Sequence, residues 1–332
     1  MKRTLLGLGL ALVQAVAMAA PQRIADAWYA HNAVLLMLGG ADQLVATVAR
    51  PQGFPWMYRV APGMRRALSI DGATMNAEEL LRLHTDTVFV TPSDPSAASL
   101  ARAGLHVVPV GFTDFASMLD CVDLTARTLG TPFAQRRATG YRAYLAQTLA
   151  DVRAIRAVGA PPRVLHVASL NPLKIDGDHT IVDEWIKAAG GRNAATGLHG
   201  NLQTVSIEQV LAWRPDVIIL AANAGAIAAS PQAALWASLP AVQRRQVFRN
   251  PSGVFPWDRY GPEVALQVRW AAGILHPAPQ RAARSAAARA DAGFLSTLLC
   301  VSAIKGGGAA DRGGIAATVT RSLAFHARQT RR

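Results

Sequence analysis

Residues 78–90, EELLRLHTDTVFV, and residues 208–220, EQVLAWRPDVIIL, are one pattern written twice, 130 residues apart and without a gap. Each copy opens on Glu, carries apolar residues at helical spacing and reaches an Asp eight positions on. It then closes on four mostly β-branched or aromatic residues. That pattern predicts an amphipathic helix, a tight turn at Thr85-Asp86 or Pro215-Asp216, and a buried parallel strand. A period this long exceeds a solenoid unit and implies two similar α/β lobes. Two lobes imply a cleft between them, where ligands usually bind.

Outward from the first copy, residues 23–26 read as a strand and 33–38 as a helix that ends at Gly39-Gly40. Residues 44–48 read as a strand, 50–62 as a loop rich in Pro, Gly and aromatics, and 105–110 as a strand after Ala103-Gly104. Strands alternating with short helices predict a parallel sheet covered on both faces. Thr131-Pro132 supplies an N-cap and a Pro at the first helical position. The helix it opens runs to about residue 158, where Gly159 and Pro161-Pro162 stop it. A helix of that length, roughly 39 Å at 1.5 Å per residue, serves as a rigid strut between lobes. The second lobe follows with a strand at 163–168, a polar loop, a helix closing at Gly190-Gly191, the second copy and a strand at 246–249. The expected fold is therefore α/β, two similar lobes with parallel-type sheets joined by a long rigid helix. Its segments are 1–20, 21–130, 131–160, 161–280 and 281–332.

The two ends differ from this body. Residues 1–20 carry Lys2 and Arg3, an apolar run over 5–16 and Ala17-Met18-Ala19, the pattern of a cleaved secretory signal peptide. The run is too short to span a bilayer, and no Cys follows it to accept a lipid anchor. The expected location is the periplasm. Residues 281–332 contain 14 Ala, 8 Arg and 6 Gly. They read either as a disordered appendage or as out-of-frame translation of a GC-rich gene. This tail also explains most of the formal net charge of +13. It carries nine basic and two acidic residues, whereas 21–280 carries 23 basic and 19 acidic with no long basic run. A phosphate-tracking surface is not expected, so nucleic acid is excluded as a partner. Cys121 falls within a helical pattern and reads as a small buried apolar side chain. Neither Cys121 nor Cys300 suggests catalysis or metal binding. The chain has no G-x-S-x-G, no G-x-G-x-x-G after a strand, no P-loop and no H-E-x-x-H, so no enzyme is expected.

The segments MNAEELLRL, IVDEWIKAAGGRN, VSIEQVLAWRPDVII, WASLPAV and PWDRYGPEVAL, in this order, resemble periplasmic substrate-binding proteins of the iron-siderophore, haem and vitamin B12 ABC importers. These proteins are of the helical-backbone, class III type. The resemblance covers residues 23–277 and stops before the tail, where the family continues with further helices on the second lobe. It implies a monomeric receptor without a cofactor of its own. Such a receptor captures a small-molecule metal complex and delivers it to an ABC permease and its ATPase. It also implies that one exposed Glu on each lobe docks on the permease, here Glu78 and Glu208, with Glu79 a neighbouring alternative. A Glu at a helix start also complements the helix dipole, whatever else it does.

Loops after strand carboxyl ends supply the cleft candidates. These are Trp28, Tyr29, His31, Trp56 and Tyr58 in the first lobe, and Asn171, Lys174, Trp257, Arg259 and Tyr260 in the second. Aromatic rings with a few cations suit a flat or multi-ring ligand carrying anionic groups. Each ring could equally serve ordinary packing; Trp185, Trp213, Trp236 and Trp270 sit in helical patterns and read as core. His31, His179 and His199 stand in separate loops, with no short-spaced pair and no evident carboxylate partner. Bare-ion receptors need several such ligands at one point, so a metal centre is not expected. The vitamin B12 subgroup carries a Trp before the MN-x-E segment where this chain has Ile70-Asp71-Gly72, which disfavours cobalamin. The cargo expected is an iron complex of the siderophore kind, with haem, cobalamin and nickel or cobalt chelates as alternatives. An exported sensory module is the alternative outside transport.

Overall fold

The computed structural model describes residues 22–70, 74–155 and 159–277. The signal-like segment and the Ala/Arg/Gly-rich tail lie outside the described residues. The first lobe contains β1 (Ile24–Asp26), α1 (Tyr29–Met37), β2 (Leu44–Thr47), α2 (Pro55–Val60) and β3 (Leu68–Ser69). It continues through α3 (Ala77–Arg82), β4 (Thr87–Val90), α4 (Ala97–Arg102), β5 (His106–Pro109) and α5 (Phe115–Leu129). Its five strands are all parallel, in the order β3-β2-β1-β4-β5.

A 24-residue helix, α6 (Pro132–Ile155), then runs between the lobes, and Thr131 caps it by accepting from the Ala134 amide. Its buried residues Ala134, Ala138, Tyr141, Leu145, Thr148 and Val152 recur at alternating steps of four and three, one stripe along the helix. The Tyr141 hydroxyl donates to the Pro262 carbonyl in the second lobe and packs near Met118 of α5 in the first. Arg137 donates to the Met37 carbonyl at the end of α1, and Arg269 donates to Thr148. The strut is thus bonded to both lobes along its length.

The second lobe contains β6 (Arg163–Leu170), β7 (Leu173–Ile175), α7 (Ile181–Ala188), β8 (Arg192–Asn193), β9 (Gln203–Thr204) and α8 (Ile207–Trp213). It ends with β10 (Val217–Leu220), α9 (Ala233–Ser238), α10 (Pro240–Gln243), β11 (Val247–Arg249) and α11 (Val264–Leu275). The strand order is β11-β10-β6-β7-β9, with β8 also pairing β6. Strands β8, β6, β10 and β11 are mutually parallel, while β7 is antiparallel to both β6 and β9.

The repeat is reproduced in its helix caps, its turn and its strand clamp. Asn76 and Ser206 cap α3 and α8 two residues before the paired Glu. His84 and Arg214, the equivalent residues after each helix, both take a left-handed backbone, with φ of 49° and 46°. Asp86 and Asp216 then pin the strand beside them. Each accepts from the amide at the start of the central strand (Arg23 N at 2.9 Å, Arg163 N at 2.8 Å) and donates its own amide back to the same residue's carbonyl. The invariant Asp of the pattern is therefore a register clamp, and the four residues after it are buried in both copies.

Three expectations need correction. The helix expected at 33–38 begins at Tyr29, because Ala30 and the first-turn residues beyond it are buried rather than looped. The loop expected over 50–62 holds α2, nucleated by Pro55 at its first position. The polar loop after 168 is a hairpin: β6 continues to Leu170 and β7 turns back against it, burying Leu173 and Ile175 on alternate positions.

Candidate functional site

The lobes meet through aromatic rings. Trp28, just before α1, lies 5.3 Å from Phe112 and 5.7 Å from Tyr260, centroid to centroid, and Phe112 lies 5.7 Å from Tyr260. Phe54, ahead of α2, stacks on Phe255 of the second lobe at 5.6 Å and an interplanar angle of 19°, and also meets Tyr29 at 5.3 Å. Pairs in these geometries are worth about 0.5–1.5 kcal/mol beyond their buried area. Beside this wall the first lobe opens a cleft of ≈ 320 Å³, lined by Tyr29, Val48, Arg50, Gln52, Gly53 and Phe54. A polar bond also crosses between lobes, from the Phe115 amide to the Glu184 carboxylate.

A buried ionic network supports the second-lobe wall. His166, in the centre of β6, lies between Asp176 and Asp258 at 2.8 and 2.7 Å, and Arg259 reaches the other oxygen of Asp176 at 3.0 Å. Burial alone would lower the His166 imidazole; the two carboxylates hold it above its ordinary range. Burial likewise opposes ionisation of Asp176, but His166, Arg259 and the Leu202 amide bring its pKa down to about 2. Asn201 bonds to the Tyr260 hydroxyl, so this network fixes the ring that meets Trp28. The loop after β11 is fastened separately: Glu263, fully buried, accepts from the amides of Val254 and Phe255. Desolvation pushes its pKa up to about 8.

Of the expected cleft residues, Trp28, Tyr29 and Tyr260 take part in the aromatic wall or the cleft. Trp56 is half-buried on α2 with Arg59 over its ring at 4.8 Å. Arg259 is held by Asp176. Asn171 and Lys174 belong to the β6–β7 hairpin, and no described ring contact joins them to the wall. Three expectations fail on burial. His31 is fully buried in the first turn of α1, bonded to Asp26 at 2.8 Å and Thr125 at 2.8 Å. The Tyr58 ring is buried and its hydroxyl donates to the Ala49 carbonyl. Trp257 is 7 % exposed and packs in the core. In each case a residue that follows a strand along the chain packs into the core rather than facing the cleft, a distinction that sequence position alone does not make.

Phe54, Phe112, Phe255, Arg50 and Asn201 were missed. Phe112 follows β5, and Phe255 follows β11 in the same loop as Tyr260, so the strand-end rule could have found both. Trp185 and Trp236 are buried and Trp213 and Trp270 pack on the core as expected. Cys121 is buried, and burial pushes its thiol up to about 12, which keeps it protonated. Glu78 and Glu208 are exposed in the first turns of α3 and α8.

The sequence model of periplasmic binding proteins matches residues 28–253, more than half of the chain and both repeat copies. This chain belongs to the periplasmic binding protein family. Its members act in the periplasm as non-enzymatic components of ABC importers, binding small ligands for a membrane permease. A search of curated proteins finds no match. Solved structures share the fold. The molybdate-binding protein MolA of Haemophilus influenzae superposes with a TM-score of 0.70 at 21% identity, covering 84% of this chain and 92% of its own. A periplasmic solute-binding protein of Veillonella parvula gives 0.66 at 23%, covering 84% and 88%. The vitamin B12 binding protein BtuF of Vibrio cholerae gives 0.63 at 22%, covering 76% and 96%. At these identities the likeness concerns the fold. No helix among the described residues is long and apolar enough to cross a membrane.

Proposed function

We propose that this periplasmic binding protein captures a metal chelate, an iron complex of the siderophore kind, between its lobes and presents it to an ABC permease. The supporting observation is the aromatic wall contributed by both lobes, Trp28, Phe112 and Tyr260 with Phe54 and Phe255, beside a cleft that includes Arg50. Rings stack on a flat, multi-ring surface, and a guanidinium binds the anionic oxygens such a chelate presents. A cleft of ≈ 320 Å³ suits a compact chelate better than a large corrinoid. Because α6 is bonded to both lobes, closure is modest and the rings are in place before the ligand arrives. In this reading the protein leaves the cytoplasm by a cleaved signal peptide and acts as a monomer.

Glu78 and Glu208 make the permease contact in this proposal. Their exposure at equivalent places on the two lobes leaves both carboxylates available to a partner.

The direct experiment is a thermal-shift screen with ferric siderophores, haem, cobalamin, and nickel and cobalt chelates. A ligand at 100 times its Kd adds about 2.7 kcal/mol of stability. Stabilisation by a ferric siderophore alone is the expected result; haem or cobalamin as the sole stabiliser overturns the cargo assignment. In cells, Glu78→Ala and Glu208→Ala should each abolish uptake and leave ligand affinity unchanged, and a loss of affinity refutes the docking role.

A further inference from the structure

The fold brings together two histidines that are 20 residues apart in sequence. Gly177 makes this happen. Its amide donates to the Gly200 carbonyl and the Asp178 amide to Leu198, and a Cβ at position 177 would lie 1.7 Å from the Leu198 carbonyl oxygen. Only glycine permits that approach, which lays the 197–200 loop along residues 177 and 178. His199 is thereby set beside Asp178, with its Nδ1 2.5 Å from Asp178 Oδ1. His179 takes a left-handed backbone, φ 56°, and its ring stands 5.3 Å from that of His199 at an interplanar angle of 33°. One donor atom from each of Asp178, His179 and His199 lies within 4.8 Å of the others. The expectation that these histidines are scattered and lack a carboxylate partner is therefore overturned for two of the three; His31 is far away in the first-lobe core.

Two further features distinguish this cluster from a chance surface group. Asp178 Oδ2 is held by the Gly197 amide, while the buried Oδ1 has His199 Nδ1 as its close neighbour, at 2.5 Å, and no hydrogen bond from the backbone. The His199 side chain is 69 % exposed, so an ion here would keep coordination positions open to water or an incoming donor.

We propose that Asp178, His179 and His199 form a binding site for a divalent transition-metal ion of the zinc or nickel class. Two imidazoles and one carboxylate are the donor set these borderline ions prefer. Bonds of about 2.0–2.1 Å place tetrahedral donors roughly 3.3 Å apart, so the Asp178–His199 pair opens by under about 1 Å and the remaining separations close by rotation of exposed rings. The site is linked to the aromatic wall through the chain that follows it. Asn201, two residues beyond His199, bonds to Tyr260 of the aromatic wall. It is nonetheless separate from that wall and takes a free ion, so it stands whether or not the chelate reading does.

The test is calorimetric titration of the full chain, free of any polyhistidine tag and stripped with EDTA, with zinc chloride and nickel chloride. One saturable ion per chain is expected for at least one of the two. His179→Ala, His199→Ala and Asp178→Asn should each raise Kd by at least ~10-fold, the factor that 1.4 kcal/mol represents. His106→Ala, an exposed histidine on β5, should leave Kd unchanged, and all variants should keep the wild-type melting temperature within a few degrees without metal. Absence of saturable binding of either ion overturns the site, as does a Kd unaffected by the three ligand substitutions.

Discussion

The first and second lobes share a skeleton and differ at their rims. Each is centred on one strand, β1 or β6, clamped at its start by the repeat Asp and flanked by β4 or β10. Each buries a histidine with Nδ1 2.8 Å from an aspartate, His31 on Asp26 and His166 on Asp176. The first-lobe pair ends at a neutral Thr125 hydroxyl, whereas the second adds Asp258 and Arg259. The second lobe also gains an antiparallel hairpin that leads the chain into the Asp178–His199 pair. The pattern shared by the lobes builds sheets; the unshared residues carry the buried charge network and the proposed metal ligands.

That difference can be broken experimentally. Asp176→Ala leaves His166 and Arg259 buried without their shared counter-charge and should cost about 3–5 kcal/mol in urea unfolding. Asp26→Ala strands only a hydrogen-bonding imidazole and one amide and should cost about 1–3 kcal/mol. Equal losses would mean that the two buried pairs are equivalent and the ionic extension is energetically idle.

Next in size is a pH effect confined to the second lobe. Glu263 is neutral in the fold up to about pH 8, whereas in the unfolded chain it ionises above the ordinary 4.5. A raised carboxyl pKa stabilises fully below the unfolded value and loses that contribution as pH rises through the window from 4.5 to about 8. The loss is about 1.4 kcal/mol per pH unit, roughly 2.7 kcal/mol between pH 5 and pH 7. Glu263→Gln, which has no charge to desolvate, should flatten that decline in melting temperature. An unchanged slope would locate the pH dependence elsewhere.

The remaining predictions sharpen the likeness of the lobes. Asn76→Ala and Ser206→Ala each remove a helix cap and should cost about 1 kcal/mol apiece, adding in the double variant because the sites share no partner. Smaller still, His84→Gly and Arg214→Gly relieve a left-handed backbone at equivalent positions and should stabilise by no more than about 1 kcal/mol. Opposite signs for the two would show that the repeat turns are not energetically alike.

Much of the skeleton was legible in the sequence. The repeat at 78 and 208, the Thr131-Pro132 helix start and the buried Trp185 and Trp236 all follow from local pattern: periodicity, capping and apolar spacing act within a few residues, and the chain records them directly. The candidate cleft was legible only in part. Trp28, Tyr29 and Tyr260 follow from the strand-end rule. The same rule also named His31, Tyr58 and Trp257, because it locates a residue along the chain without saying which way its side chain faces.

What the sequence alone determined is the duplicated α/β frame and its connecting helix, since these rest on short-range order repeated twice. Tertiary structure alone decided which rings meet across the lobes, that Phe54 finds Phe255, that His166 sits between two carboxylates, and that Gly177 brings His199 to Asp178. Those contacts join residues from 10 to 232 positions apart. Their geometry depends on how two sheets pack on one strut, which no local pattern encodes.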